Sequence, residues 1–243
     1  MRELVRDRSA REEHGRFVAE GPRVVAAAFD HGAAIERLYL GNESELAARA
    51  EASAIPVVSL PAGAAERIGD TRTPQAVFAV VRRPRVDIDA FRGATLALMG
   101  TVLSDPGNVG TLMRSAAAAG ATALGLGAGS VDAYNPKVVR ASAGACFAIR
   151  TVEGVAAVEM LEALGAHGFR RLGAVGSGGT APEAIDLRVP TAFVLGNEAH
   201  GFASDLPLDG LVTIPMQAGE SLNVAMAGTG LLLEAARQRR TAP

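Results

Sequence analysis

The chain has 243 residues, 49% of them hydrophobic, and a formal net charge of −2. That length suits one large or two small domains with a substantial core. The charge excludes a protein coated in positive field, so any nucleic-acid contact has to be a local patch. The opening MRELVRDRSAREEHGRF is charged throughout and has no apolar signal core. No apolar run is long enough to span a bilayer, and a cytoplasmic protein without membrane contact is expected. The single cysteine, Cys146, excludes an intrachain disulfide, and the scattered histidines (His14, His31, His167, His200) leave no expected metal site.

Residues 16–83 read as a small α/β unit. FVAEG is a short strand and turn. PRVVAAAFDHG has helical apolar spacing and a glycine stop at Gly32. IERLYLG is a strand, and ESELAARAEASA is a helix with Asn42 or Ser44 as N-cap. VVSL, PAGAAERIGD and AVFAVVR follow as strand, short helix and strand. RRPRVDIDAFRGA lacks periodicity and reads as a linker, with the boundary between residues 86 and 87. Residues 94–243 form a second α/β unit. Its apolar runs TLALMGTVL, ATALGLGAG, FRRLGAVG, TAFVLG and LVTIPM alternate with the helical stretches VGTLMRSAAAAG, PKVVRASAGACF, VEMLEALGAHG and LNVAMAGTGLLLEAARQRR. Continuous apolar strands separated by helices imply a parallel sheet covered on both faces.

Three stretches carry candidate chemistry. In LSDPGNVGTLMRSAAAAG (103–120), DPGN is turn chemistry after a strand, Asn108 is a candidate cap and helix start, and Arg114 stands in an otherwise small, apolar helix. In FVLGNEAHGF (193–202), a buried-type strand ends in Gly196-Asn197-Glu198. A glycine there lets a ligand approach the backbone where α/β proteins bind ligands, and Glu198 is an acceptor-only group. In IPMQAGESLN (214–223), Pro215 ends a strand, and Ser221 or Asn223 caps the last helix. Each alone is as well read as an ordinary turn or cap. Neither GLGAG (125–129) nor GSGG (176–179) has the dinucleotide-binding spacing, which argues against a nucleotide-dependent oxidoreductase.

Taken together, DPGNVGTLMRSAAAAG, FVLGNEAHGF and IPMQAGESLNVAMAG resemble the three ordered motifs of the SPOUT superfamily, specifically its SpoU/TrmH-type RNA ribose 2′-O-methyltransferases. NPKVVRASAGACF (135–147) is similar to the family's stretch between the first two motifs. RFVAEGPRVV resembles the start of its small L30e-like substrate-binding domain. The departures are Ser115 where threonine is common and Ala143 where methionine is common. The resemblance implies an α/β fold: a parallel sheet with a deep C-terminal trefoil knot, preceded by the small α/β domain. It divides the chain into 1–86, for RNA binding, and 87–243, for catalysis.

It also implies S-adenosylmethionine as cofactor, RNA as substrate and a homodimer. Gly196, Ile214 and Leu222 match the family's cofactor contacts, with Val175, Gly176, Asn197, Met216 and Ser221 as adjacent candidates. Methyl transfer is an in-line displacement, with the 2′-hydroxyl about 3 Å from the methyl carbon. The family gives the proton-removing role to Arg114, yet a guanidinium does not lose its own proton in proteins. Arg114 is therefore expected to bind the neighbouring phosphate and stabilise the developing alkoxide, while that phosphate or a water takes the proton. Asn108 and Glu198 would orient Arg114 and the ribose, and Asn223 would align the nucleophile. Candidate RNA contacts are Arg16, Arg23, Arg82 and Arg83, with Phe17 as stacking platform. The terminal Arg2, Arg6, Arg8 and Arg11 interleave with acids and are equally well read as a solvated helix. Ribosomal RNA of the 23S type is the expected target, with transfer RNA and a catalytically silent RNA-binding role as alternatives.

Overall fold

The computed structural model describes residues 1–42, 44–69, 75–197, 201–203, 205–219 and 221–240. The chain forms two compact units: Met1–Arg85 with Asp132–Ala148, and Val86–Val131 with the residues from Ile149 on. The break at Arg85 lies beside the expected linker, but residues 132–148, which the motifs put in the second block, pack with the first unit.

The first unit opens with helices α1 (Arg2–Arg6) and α2 (Arg8–His14), the second capped by the Asp7 carboxylate on Ser9 N. Then come β1 (Arg16–Glu20), α3 (Pro22–Asp30), β2 (Ile35–Leu40), α4 (Ser44–Ala52), β3 (Val57–Ser59), α5 (Ala64–Ile68) and β4 (Val77–Arg82). Pro22 starts α3 with a preset φ, and Val24, Val25 and Ala28 give it one buried face. The sheet order is β1-β4-β2-β3, with β4 antiparallel to both neighbours and β3 parallel to β2. One sheet face is partly covered by α1, α2 and α5 through Leu4, Val5, Ala10 and Ala65, packed with Val18 and Phe78.

The expected linker is not irregular. Ile88–Phe91 is a 3₁₀ turn capped by Asp87, and Phe91 is fully buried in the core of the second unit with Met99, Val152 and Met160. That anchor is one aromatic among charged residues, which a periodicity search misses. Next come β5 (Leu96–Gly100), α6 (Pro106–Ala118) and β6 (Ala123–Gly127). The chain returns to the first unit for α7 (Pro136–Ala141) and then forms β7 (Arg150–Val155), α8 (Ala157–Ala166), β8 (Arg170–Ala174), β9 (Thr191–Leu195), β10 (Gly210–Val212) and α9 (Val224–Arg240).

The second sheet runs β10-β8-β9-β5-β6-β7, every pair parallel. Strands β5, β6 and β9 are buried at every residue, as expected of central strands covered on both faces. The edge strand β7 was not foreseen, because Thr151, Glu153 and Gly154 interrupt its apolar run. On α9, Gly228 allows close packing: a Cβ there would sit 2.5 Å from Leu112 of α6 and 3.0 Å from Leu195 of β9. No described helix is long and apolar enough to cross a membrane.

Candidate active site

Strands β8, β9 and β10 end side by side. Their last residues, Ala174, Leu195 and Val212, floor a cleft of about 350 Å³. The loops leaving those strands and the start of α9 form its walls. Val175 and Gly176 come from the end of β8, Gly196 and Asn197 from the end of β9. Ile214, Met216, Ser221 and Leu222 come from the segment between β10 and α9. All eight expected cofactor residues therefore line one cleft. Val224, Ala227 and Leu231 of α9, which the motifs did not single out, line it too. No described lining side chain is charged. The polar side chains are Asn197, Ser221 and Asn223.

Local chemistry explains the shape. A Cβ on Gly196 would lie 2.6 Å from the Gly201 carbonyl carbon. The missing side chain makes room for the chain's own returning backbone, where Asn197 and Gly201 exchange N–H···O bonds of 2.9 Å in both directions. The close approach expected for a ligand at this glycine is thus made by the protein itself. The Asn197 amide also donates to the Val102 carbonyl at 3.4 Å.

Asp105, not Asn108, caps α6. Its carboxylate accepts from Asn108 N at 2.7 Å, and the helix starts at Pro106. The Asn108 side chain is thereby left to accept from Asn223 Nδ2 at 3.1 Å. Asn223 resolves the cap of α9, because its Oδ1 accepts from Ala225 N at 2.9 Å and from Met226 N at 3.3 Å. A second link lies seven residues along α6, on the same face. Thr229 Oγ1 donates to Ala225 O, so Ser115 Oγ is the donor in the 2.7 Å bond between the two hydroxyls. Ser115, a departure from the motif, thus ties α6 to α9.

Arg114 is exposed next to that link and makes no hydrogen bond or ion pair among the described residues. Its expected orientation by Asn108 is not present. Glu198 lies outside the described residues.

The expected RNA contacts are dispersed. Phe17 is 1% exposed, with ring centroids 4.7 Å from Tyr134 and 6.0 Å from Phe147. It is a core residue and offers no stacking face. Arg16 and Arg82 both pair with Glu36, Arg82 at 3.3 Å. Arg83 is mostly covered, 5.2 Å from the Tyr134 ring centroid and 3.9 Å from Glu12. Arg23 is exposed at a separate cavity shared with Glu20, Gln75 and Arg140. Arg11, one of the terminal candidates, is buried: its Nε donates to Asp132 at 2.6 Å and its Nη1 to the Leu4 carbonyl at 2.8 Å. Arg37 and Tyr39, missed in the sequence, line a cavity on the small sheet. Alternation along β2 was the available signal, because Leu38 and Leu40 face inward.

Residues 95–233 match the SpoU rRNA Methylase family, and residues 2–79 match the MRM3-like substrate binding domain. The chain is 31% identical to the 23S rRNA (uridine(2479)-2'-O)-methyltransferase of Streptomyces viridochromogenes, over 97% of this chain and 88% of that protein. It is 30% identical to the 23S rRNA (guanosine(2553)-2'-O)-methyltransferase RlmP of Bacillus subtilis, over 89% of this chain and 86% of that protein. Among solved structures it is similar to the SpoU methyltransferase AviRb from Streptomyces viridochromogenes in complex with the cofactor AdoMet. The TM-score is 0.87 at 30% identity, covering 100% of this chain and 97% of that one.

Proposed function

The chain belongs to the SpoU rRNA methylase family, and on that premise we propose that it methylates a ribose 2′-hydroxyl of 23S-type ribosomal RNA, using S-adenosylmethionine. The observation that carries the reading is the cleft: three loops from adjacent strand ends meet around a volume within the range of small-molecule sites. Its apolar walls (Leu195, Val212, Ile214, Leu222) suit a nucleoside ring, and Asn197, Ser221 and Asn223 suit the polar edge of a ribose or amino acid. With no charged side chain among its described lining residues, a sulfonium meets no repulsive cation from them, so the residues present fit the cofactor. When bound, the cofactor supplies an electrophilic methyl group.

The chain's own residues do the rest. The hydrogen-bonded Asn108–Asn223 pair fixes the first turns of α6 and α9 at the side of the cleft where Asn223 stands. Arg114, exposed and without a competing carboxylate among the described residues, binds the RNA phosphate and stabilises the alkoxide as the hydroxyl attacks. The RNA phosphate or a water takes the proton. Glu198 completes the catalytic set, and the trefoil knot implied by the motifs belongs to the same reading. The first unit selects the RNA, and the protein works in the cytoplasm. A homodimer is supported by an apolar stripe on α9, where Met226 (61% exposed) and Leu233 (48% exposed) stand seven residues apart on one face for a second copy to cover. Light scattering tests this, and a monomer at micromolar concentration contradicts it.

Incubating the protein with ribosomal RNA and S-adenosylmethionine, then mapping 2′-O-methyl marks, tests the activity. One new mark in 23S-type RNA is expected. A chain that binds the cofactor by calorimetry yet leaves ribosomal RNA unmarked overturns the reading.

A further inference from the structure

The face of the small sheet that α1 partly covers carries a second cavity, of about 380 Å³, lined by Met1, Leu4, Arg16, Glu36, Arg37, Tyr39 and Val80. Strand pairing explains how these residues meet. Arg16 pairs with Arg82 across β1–β4, Arg37 with Val80 and Tyr39 with Phe78 across β2–β4, so the cavity spans three neighbouring strands. A register shift between Ile35 and Arg37 breaks the alternation of β2. Successive residues of a regular strand point to opposite faces, but a bulge re-aims a side chain, and here Glu36 and Arg37 both border one cavity. Leu4 and Val80 give the cavity apolar lining, Arg16 and Arg37 give it cations, and Tyr39, half-buried against the Leu4–Phe78 cluster, gives it an aromatic ring.

The partners on this face are uneven. The Glu36 carboxylate is taken by Arg16 and Arg82. Arg37 makes no ion pair or hydrogen bond among the described residues, and neither does the Tyr39 hydroxyl. Three guanidiniums against one carboxylate leave net positive charge on this patch of a chain whose overall charge is −2. An aromatic ring beside one unpaired guanidinium and a second that shares its carboxylate is an arrangement that can hold a splayed-out base and its phosphate.

We propose that this cavity receives one unpaired nucleotide of the RNA, its base on the Tyr39 ring and its phosphate on Arg37 and Arg16; this rests on the reading of the chain as an enzyme acting on RNA. It gives the first unit the stacking surface that the buried Phe17 cannot supply. Recognition then occurs in two places: the docked nucleotide fixes the RNA on the small unit, while the reacting ribose is handled at the cleft of the other.

The protein carries its own probe. Tyr39 and Tyr134 are its two tyrosines and it has no tryptophan, and Tyr134 is 3% exposed. The full chain is titrated with a short, unpaired, adenosine-rich oligoribonucleotide at low salt, following tyrosine emission. Stacking on Tyr39 quenches it. Tyr39→Phe retains the affinity, measured by anisotropy of labelled RNA, and loses the quench. Tyr39→Ala weakens binding about ten-fold. Arg37→Gln weakens it and flattens the dependence of log K on log salt by about 0.7, the share of one phosphate on a single strand. With ribosomal RNA as substrate, Tyr39→Ala raises KM and leaves kcat and the affinity for S-adenosylmethionine unchanged. A parent that methylates RNA without quenching, or Tyr39→Ala and Arg37→Gln variants that bind RNA as the parent does, overturns the docking site and leaves the enzymatic reading standing. A parent that is quenched by RNA but transfers no methyl group upholds the docking site and overturns the enzymatic reading.

Discussion

The cleft at the ends of β8, β9 and β10 and the cavity on β1, β4 and β2 are of similar size, about 350 and 380 Å³, but differ in chemistry. The cleft has no charged side chain among its described lining residues, while the cavity is bordered by Arg16, Glu36 and Arg37. A neutral cleft selects by shape and by amide and hydroxyl groups. A charged cavity draws its occupant through a field that salt screens. Affinity for S-adenosylmethionine is therefore expected to be nearly indifferent to ionic strength, and affinity for RNA to fall steeply with it. Each substitution below strikes one region and spares the other, in order of falling effect.

The largest effect is on the first unit. Asp132→Ala leaves the Arg11 guanidinium buried without its carboxylate, and also removes the acceptor of Tyr134 N. Losing one member of a buried pair costs about 3–5 kcal/mol. The midpoint of urea unfolding monitored by tyrosine emission, from Tyr39 and Tyr134 of that unit, is expected to fall accordingly, while calorimetric binding of S-adenosylmethionine at low temperature persists. An unchanged midpoint removes Arg11 and Asp132 as an anchor of that unit.

Next comes Arg114→Ala, aimed at chemistry beside the cleft. Withdrawing a preorganised donor from developing negative charge lowers turnover by about 10²–10³-fold. S-adenosylmethionine affinity stays within about two-fold, because Arg114 does not line the cleft. Arg114→Lys keeps the charge and loses the planar fork, so full activity with lysine excludes a bidentate grip. Smaller again is Gly196→Ala. Its Cβ would press on the Gly201 backbone, not on a flexible side chain, and overpacking of this kind costs about 1–3 kcal/mol. Weaker S-adenosylmethionine binding with unchanged oligoribonucleotide binding is expected. The reverse pattern would divorce the 196–201 turn from the cleft.

The two regions also differ in how far the sequence foretold them. The cleft is made by turns and caps whose chemistry is local: Gly196 at a strand end, Asn223 ahead of a helix, Pro215 after a strand. Its parts are readable over a few residues, and the family resemblance assembled them. Even there one local competition was misjudged, since Asp105 takes the cap of α6 and leaves Asn108 for Asn223, 115 positions along. The small unit depends on pairings between distant residues. Nothing near Phe17 announces Tyr134 and Phe147 as its neighbours, nothing near Arg11 announces Asp132, and nothing near Arg16 announces Glu36. Which arginine is spent on structure and which is left for RNA is settled by the tertiary fold, so a sequence reading favoured Arg16, Arg82 and Arg83 and passed over Arg37.

Glu36→Gln gives the smallest effect and the sharpest contrast. Hydrogen bonds from Arg16, with further help from Arg82, hold the Glu36 carboxyl below the usual carboxylate range despite partial burial. A carboxyl depressed in this way stabilises the fold above its unfolded-state pKa, and that contribution is lost as pH falls through the folded value. For RNA the sign is opposite: protonating Glu36 releases two guanidiniums, so phosphate binding tightens as the carboxyl titrates. Glu36→Gln mimics that state at neutral pH. The oligoribonucleotide should bind several-fold more tightly, with a salt slope steeper by up to about 0.7, and the tightening of the parent at acid pH should be absent from the variant. S-adenosylmethionine binding, at a cleft that Glu36 does not line, should follow the same curve in both proteins. If Glu36→Gln weakens RNA binding instead, the carboxylate is positioning Arg16 and Arg82 for the phosphate and not competing with it. The cavity would then work as an ordered triad, not as a field of partly neutralised cations.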